Sequence, residues 1–388
     1  MTKRAAIWLL VMAVVLTTSC VFGTVLTVKH AHGELNLTGL IQTYYAMYEN
    51  DNMSDTFAAR RVRLGVDGNV YEKIFFLIEL ETSTSGNPLR DAYITLKYIP
   101  HVDLRVGQFF KPVLYEALTS TRKLPFIQYS LPTVYMFSNN VADRDIGVQA
   151  TFHLEKEDYT FLLLQAGVFN GTGMNKRDNN DQKDWVMRAS VQPVKGIKVF
   201  GSYTYGTYGD KLNENAVYVS GSKVFGHEPY QEYSAGFAID YQGLDFAGEW
   251  IGMNTRYLPS VSEGLLDASG PPPVDYSHER SWDMYGFYTY LGYKIDTGHD
   301  YFHQVEPIVR YAYLDPDINS DRFNDLQRTV TYGLNVAIDK HFARLQLNYV
   351  QNLNDSCTYE KNPELGQNAS PYGKQADNVF LAQLQVAF

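Results

Sequence analysis

The chain has 388 residues, 45% apolar and 20% charged, with 33 Lys and Arg against 43 Asp and Glu and a net charge of −10. That balance excludes a disordered or low-complexity chain and argues against a nucleic-acid partner. Its 30 Tyr, 21 Phe and 29 Gly suit strands and turns better than helices, because aromatics pack on pleated surfaces and glycine supplies positive-φ corners. Mean hydropathy is −0.27, and past the N-terminus no apolar run approaches about 18 residues, which excludes a bundle of spanning helices.

The chain opens with a targeting segment. Lys3 and Arg4 precede the apolar run Ile7–Leu16, and Thr17, Thr18, Ser19 and Cys20 follow. A basic start, a short apolar core and small residues after it make a secretory signal. The small residues of Ala31-His32-Gly33 offer a cleavage point, so residues 1–33 are expected to be removed and 34–388 to form one domain. Val21–Val28 is apolar enough that an uncleaved anchor is the alternative. Ser19-Cys20 faintly resembles a lipidation box, with Thr17 in place of the usual Leu. Cleavage takes Lys3, Arg4 and Lys29 from the 33 basic residues and leaves 30 against 43 acids. It also leaves Cys357 alone, which excludes a disulfide framework and a cysteine metal site.

From Glu34 onward apolar residues recur at every second position, the period of a strand. The first runs are Leu35–Ile41, Val62–Val66, Ile74–Leu80, Ala92–Leu96 and Val102–Val106. Ile146–Phe152, Leu162–Val168, Trp185–Val191 and Ile197–Tyr203 come next. Tyr233–Tyr241, Leu244–Met253, Trp282–Tyr293, Val305–Tyr313, Val330–Ile338, Ala343–Tyr349 and Phe380–Phe388 bring the total to about sixteen.

Their connections alternate in length. Glu49–Thr56, Thr82–Leu89, Gln108–Asp143, Asn170–Asp184, Gly206–Tyr230, Asn254–Ser281, Leu314–Leu326 and Asn352–Ala376 are long, whereas those between them, such as Tyr98–His101 and Gln242–Gly243, are short. A soluble sandwich has no reason to sort its loops. An all-β transmembrane antiparallel barrel does, with short periplasmic turns at one rim and long external loops at the other. The last run is apolar at Phe380, Ala382, Leu384, Val386 and Phe388 and ends on an aromatic, as a closing strand does. Tyr44, Tyr45, Tyr98, Trp185, Tyr203, Tyr205, Trp250, Trp282 and Tyr313 stand near strand ends, where interfacial girdles form. In hydrocarbon every backbone N–H and C=O needs an internal partner, which a closed sheet supplies without an edge. One face then meets lipid and the other water. Arg61, Glu79, Arg105, Arg188, Glu249, Arg310 and Arg344 share a parity and are assigned to the lumen.

Six stretches carry a family resemblance. They are Arg60-Arg61-Val62-Arg63-Leu64-Gly65-Val66-Asp67-Gly68, Leu89-Arg90-Asp91-Ala92-Tyr93 and Leu104-Arg105-Val106-Gly107-Gln108-Phe109-Phe110-Lys111-Pro112, then Leu118-Thr119-Ser120-Thr121-Arg122, Asp143-Arg144-Asp145-Ile146-Gly147-Val148-Gln149 and Gly167-Val168-Phe169-Asn170-Gly171. In this order they resemble the phosphate-selective porin O/P family of bacterial outer-membrane porins. The resemblance implies a sixteen-stranded, homotrimeric diffusion channel whose third external loop, here Gln108–Asp143, folds inward to narrow the pore. It implies also that members selecting anions do so with lumen arginines and a lysine-bearing constriction. Carried over by motif, these are Arg60, Arg61 and Arg63 on the second strand and Lys111 and Arg122 on the loop, which also carries Lys123; parity adds Arg105.

The chemistry fits, since guanidinium forks can pass phosphate or another oxyanion between bidentate contacts. The competing reading pairs Arg61, Arg63 and Arg105 with Glu79, Glu81, Asp91 and Asp103, holding the wall in shape. Lumen parity also carries Lys97, Lys198, Asp145, Asp240, Asp245, Asp283 and Glu306, so preference depends on the narrowest ring and not on the sum. The expected partners are outer-membrane lipid and small anionic or polar solutes.

No catalytic site or cofactor is expected. The chain has no Gly-x-Ser-x-Gly elbow and no His-Glu-x-x-His, and His101, His227, His278, His299, His303 and His341 fall in or beside connections. His299 and His303 have ligand spacing but straddle a turn and a strand start, so no metal is expected there. Asp178-Asn179-Asn180-Asp181 reads as a solvated hairpin tip ahead of a calcium site, and Pro271-Pro272-Pro273 as a rigid surface segment. The readings from other classes are a structural or adhesive barrel with a blocked lumen, and a barrel hydrolase.

Overall fold

The computed structural model describes residues 26–30, 32–49, 54–83, 86–208, 218–219, 222–223, 228–255, 282–299, 301–316, 318, 326–339, 343–353 and 378–388. The leader up to residue 25, both cysteines, His227, His278, His341 and Pro271–Pro273 lie outside the described residues.

Each sequence run forms a strand, and the sixteen strands close into an antiparallel barrel. In chain order they are β1 (Gly33–Tyr48), β2 (Thr56–Val70), β3 (Ile74–Glu81), β4 (Leu89–Ile99), β5 (Val102–Phe110), β6 (Arg144–Lys156), β7 (Tyr159–Phe169) and β8 (Asp184–Val194). The second half comprises β9 (Ile197–Tyr208), β10 (Glu228–Tyr241), β11 (Leu244–Thr255), β12 (Trp282–Tyr293), β13 (Gln304–Asp315), β14 (Gln327–Asp339), β15 (Ala343–Asn352) and β16 (Val379–Ala387). Every strand pairs with its sequence neighbours, and β16 pairs with β1. At that seam Gly39 and Phe388 exchange both backbone bonds, at 2.8 and 3.0 Å. Gly39 has no side chain because the Phe388 ring occupies the space: a Cβ there would stand 2.2 Å from the ring. Past the end of β16, Leu26–His30 pairs with Leu37–Gly33 of β1. The short connections need left-handed backbone, as in the Gln242-Gly243 turn with φ of +50 and +86, the primed geometry that matches strand twist.

Burial runs opposite to that of a water-soluble domain. Ile41, Leu64, Ile78, Ile94, Val106 and Val148, all of outward parity, are 44 to 51% exposed, while inward-facing Gln42, Arg61, Arg63, Glu81, Asp91 and Thr95 are at most 9% exposed. Trp185, Tyr203, Tyr205, Tyr233 and Trp250 form an exposed outer row toward the loop end, and Tyr71, Tyr98, Tyr241 and Tyr293 a second toward the turns. Tyr44 is a correction to the expected girdle: it packs inward beside Ile127 of the long third loop.

Two breaks in the ladder matter for the site. Between β1 and β2, Gln42 pairs with Arg61 and Thr43 with Ala59, so Arg60 is the extra residue of the register. Between β3 and β4, Glu79 pairs with Asp91 and Leu80 with Leu89, which leaves Arg90 over. Such bulges bend the strand and re-aim side chains.

Candidate functional site

Residues 111–143 turn into the barrel. The segment leaves β5 at Phe110, forms helices α1 (Tyr115–Leu118) and α2 (Leu131–Ser138), and returns at Arg144. Pro132 is tolerated at the start of α2, where its missing N–H would have no helical acceptor. Ser130 gives its N–H and its hydroxyl to Glu116 Oε2, at 2.9 and 2.6 Å, so one carboxylate ties the two helices. Val113, Leu114, Ala117, Phe126, Leu131 and Met136 of the loop are buried with Phe200, Ile251, Met284, Tyr290 and Ile308 of the inner wall. The Tyr115 ring stacks on Phe200 at 4.8 Å, and burial, with Asp245 and Asp240 nearby, pushes its hydroxyl up to about 12.

The wall grips this loop largely by its main chain. Arg188 of β8 donates to the Val113 carbonyl, and Glu249 of β11 accepts the Tyr115 N–H at 2.9 Å. Arg310 of β13 donates to the Gln128 and Tyr129 carbonyls at 2.9 and 3.4 Å and to Glu116 Oε1 at 3.0 Å. Asn335 of β14 donates to the Pro125 carbonyl at 2.9 Å, and Arg344 of β15 to that of Leu124 at 2.8 Å. Asn348 accepts the Ile127 N–H at 2.8 Å. Gln385 of β16 reaches the Arg122 carbonyl at 3.2 Å and Gln42 of β1 that of Thr121 at 3.3 Å. Hydrogen bonds to charged groups contribute about 1.5–3 kcal/mol each, so the loop is fixed round much of the bore.

This grip reassigns several expected pore cations. Arg188, Arg310 and Arg344 face inward as alternation predicts, but their donors end on the loop. Lys111 departs further from the constriction role that the resemblance implies. It is fully buried, its Nζ 2.9 Å from Asp184 Oδ2 and bonded to the Asn140 carbonyl. Tyr230 shares that carboxylate oxygen at 2.6 Å. Position 111 precedes the turn into the bore, beside the start of β8, so its amine clamps the two loop stems together and does not face solute.

The other six expected cations lie nearer the bore. Arg63 is braced as the competing reading holds, 2.7 Å from Glu81 and 3.4 Å from Glu79, with Thr121 of the loop tip at 3.1 Å. Arg61 differs. It bonds Gln42 at 2.8 Å, lies 5.6 Å from the Tyr129 ring centre, and has no acidic partner among the described residues. Arg60, at its bulge, is close enough to act on the Arg61 charge. Arg105 lies over Tyr93 at 4.2 Å and donates to Thr95 at 3.3 Å. At the loop tip the Arg122 guanidinium donates to the Gly39 carbonyl at 3.3 Å, and Lys123 is exposed.

Two further arginines stand at the inner wall where alternation does not predict them. Arg144 Nη2 lies 2.8 Å from Asp91 and its guanidinium 3.8 Å over Phe110; Arg90 stands beside Arg63 and Arg144. Strict alternation turns both outward. The bulge brings in Arg90, and Arg144 is the first strand residue after the inward loop. Their only sequence signal is the stretches Leu89-Arg90-Asp91 and Asp143-Arg144-Asp145. Among the described residues no His, Cys, Asp and Glu group is placed to hold a metal ion, and Lys183 engages Asp178.

Comparison with known proteins agrees with this architecture. A family model described as phosphate-selective porin O and P matches residues 35–388. Among solved structures, the chain is similar to OmpF of Salmonella typhi in complex with daunomycin, at 14% identity and a TM-score of 0.64, covering 94% of this chain and 100% of that one. It is similar also to an anion-selective porin from Comamonas acidovorans, at 14% identity and TM-score 0.55, covering 92% and 100%. OmpT of Vibrio cholerae in its trimer form matches at 12% identity and TM-score 0.57, covering 92% and 100%. At these identities the likeness is one of fold. No curated protein matches the chain.

Proposed function

The chain belongs to the phosphate-selective porin O and P family, and from that outer-membrane channel assignment we propose a water-filled, homotrimeric pore for small hydrophilic solutes that prefers oxyanions such as phosphate. One observation carries the preference. Near the level of the loop tip, Arg61, Arg105, Arg122 and Lys123 have no acidic partner among the described residues, while Glu79, Glu81, Asp91 and Asp103 are matched by Arg63, Arg144 and Lys97. Among these groups seven are basic and four acidic, although the whole chain carries −10, and the narrow level decides which ion passes. Guanidinium groups on separate strands offer several moderate contacts, strong enough to admit an oxyanion and weak enough to release it.

The trimer rests on the family and on the trimeric form of the Vibrio cholerae relative. Export rests on the leader, expected to end at Gly33. The deciding experiment is the reversal potential of the purified protein in a planar bilayer across a salt gradient, with phosphate and sulfate as competitors. Discrete conductance steps with a potential on the anion side are expected. Silence would indicate a blocked lumen, and a cation-side potential would overturn the preference while leaving the channel.

A further inference from the structure

Arg90 is built into place without an ion-pair partner among the described residues. At the β3–β4 bulge it stands among Arg63, Arg144, Glu81 and Asp143. Its backbone is held from two directions. Gln108 Nε2 donates to the Leu89 and Arg90 carbonyls at 3.2 and 2.9 Å. Asn175, from the loop between β7 and β8, donates to the Leu89 carbonyl at 2.9 Å, and its own N–H bonds Gln108 Oε1 at 2.7 Å. Yet the buried Arg90 Nε has no acceptor, and the residue forms no ion pair among the described residues. The nearby cations are engaged: Arg63 by Glu79 and Glu81, Arg144 by Asp91. The residue is half-buried, so its charge is only partly hydrated, and the held backbone keeps it at this place in the wall.

We propose that Arg90 is a specificity-determining contact of the pore, where the fork meets two oxygens of a passing carboxylate, sulfate or phosphate. This deepens the anion-channel reading and rests on it. Strict alternation would point residue 90 at lipid, so the bulge creates the site. Asn175 and Gln108 are its positioning residues. The acids round it keep the contact moderate, as conduction requires.

The test uses the full barrel in planar bilayers. In a Cys357→Ser background, Arg90→Cys is treated with a charged, membrane-impermeant thiol reagent; a fall in current is expected, and a protected thiol would overturn the inward placement. Arg90→Gln is expected to raise the sulfate concentration for half-block about tenfold, the loss of one charge-assisted contact. Arg90→Lys should fall between, keeping the charge without the fork. If Arg90→Gln is blocked like the parent while Arg61→Gln is weakened, the proposal fails and the anion channel stands. If the parent shows neither sulfate block nor anion preference, both fail.

Discussion

Replacing Lys111 by Met separates a strut from a pore cation. The amine and the Asp184 carboxylate are 0% and 1% exposed and 2.9 Å apart. Removing one member of a buried pair leaves the other uncompensated and costs about 3–5 kcal/mol. Lys111→Met also loses the bond to Asn140 that joins the two ends of the inward loop. The expected result is a barrel that unfolds at lower urea and carries a noisier current, with the reversal potential of the parent. Lys111→Met combined with Asp184→Asn removes both charges while the Tyr230 hydroxyl keeps an acceptor, so most of the lost stability should return. A single variant of unchanged stability whose reversal potential moves toward cations as far as that of Arg61→Gln would refute the clamp.

Arg61→Gln should lower the anion-to-cation permeability ratio roughly fivefold, the effect of about 1 kcal/mol from one charge near a water-filled path, with unfolding unchanged; an unaltered ratio would count against the named surplus. Arg310→Ala, which frees two carbonyls and Glu116, should release the loop and give a larger, fluctuating conductance, and Arg310→Lys should restore only part of the seating because it lacks the fork. Tyr115 is held at about 12 against an ordinary 10.0, so its neutral form favours the seated loop. That contribution is whole below pH 10 and is lost as pH rises through 12; current noise should grow over this window and grow less in Tyr115→Phe. The mature protein is expected to begin at Glu34, which intact mass spectrometry reads, and a chain retaining Leu26–His30 would refute that cleavage point.

The sixteen strands were legible because each one separates lipid from water, which imposes period two on side-chain polarity at every level of the wall. The inward face of Arg61, Arg105, Arg188, Arg310 and Arg344 follows from the same rule. What parity cannot supply is the partner. Arg188, Arg310 and Arg344 look like Arg61 in the sequence, and only the path of a loop bound through its carbonyls shows that they hold it. The place of Lys111 is hidden from the sequence for a related reason: its environment is made by Asp184 and Tyr230, far along the chain. Arg90 is the opposite case. One extra residue in a ladder reverses its direction, and no pattern of residue types announces that slip.

The polar grip on the inward segment runs mostly through its carbonyls and N–H groups, so away from Glu116 and its buried apolar residues it places few demands on its own side chains. The wall residues see a backbone trace, which most substitutions preserve, so the exposed tip at Ser120 and Lys123 can change chemistry while the scaffold stays the same. Solute preference in such a pore can therefore drift quickly over evolutionary time, and an engineer could retune it at those few positions without redesigning the cylinder that carries them.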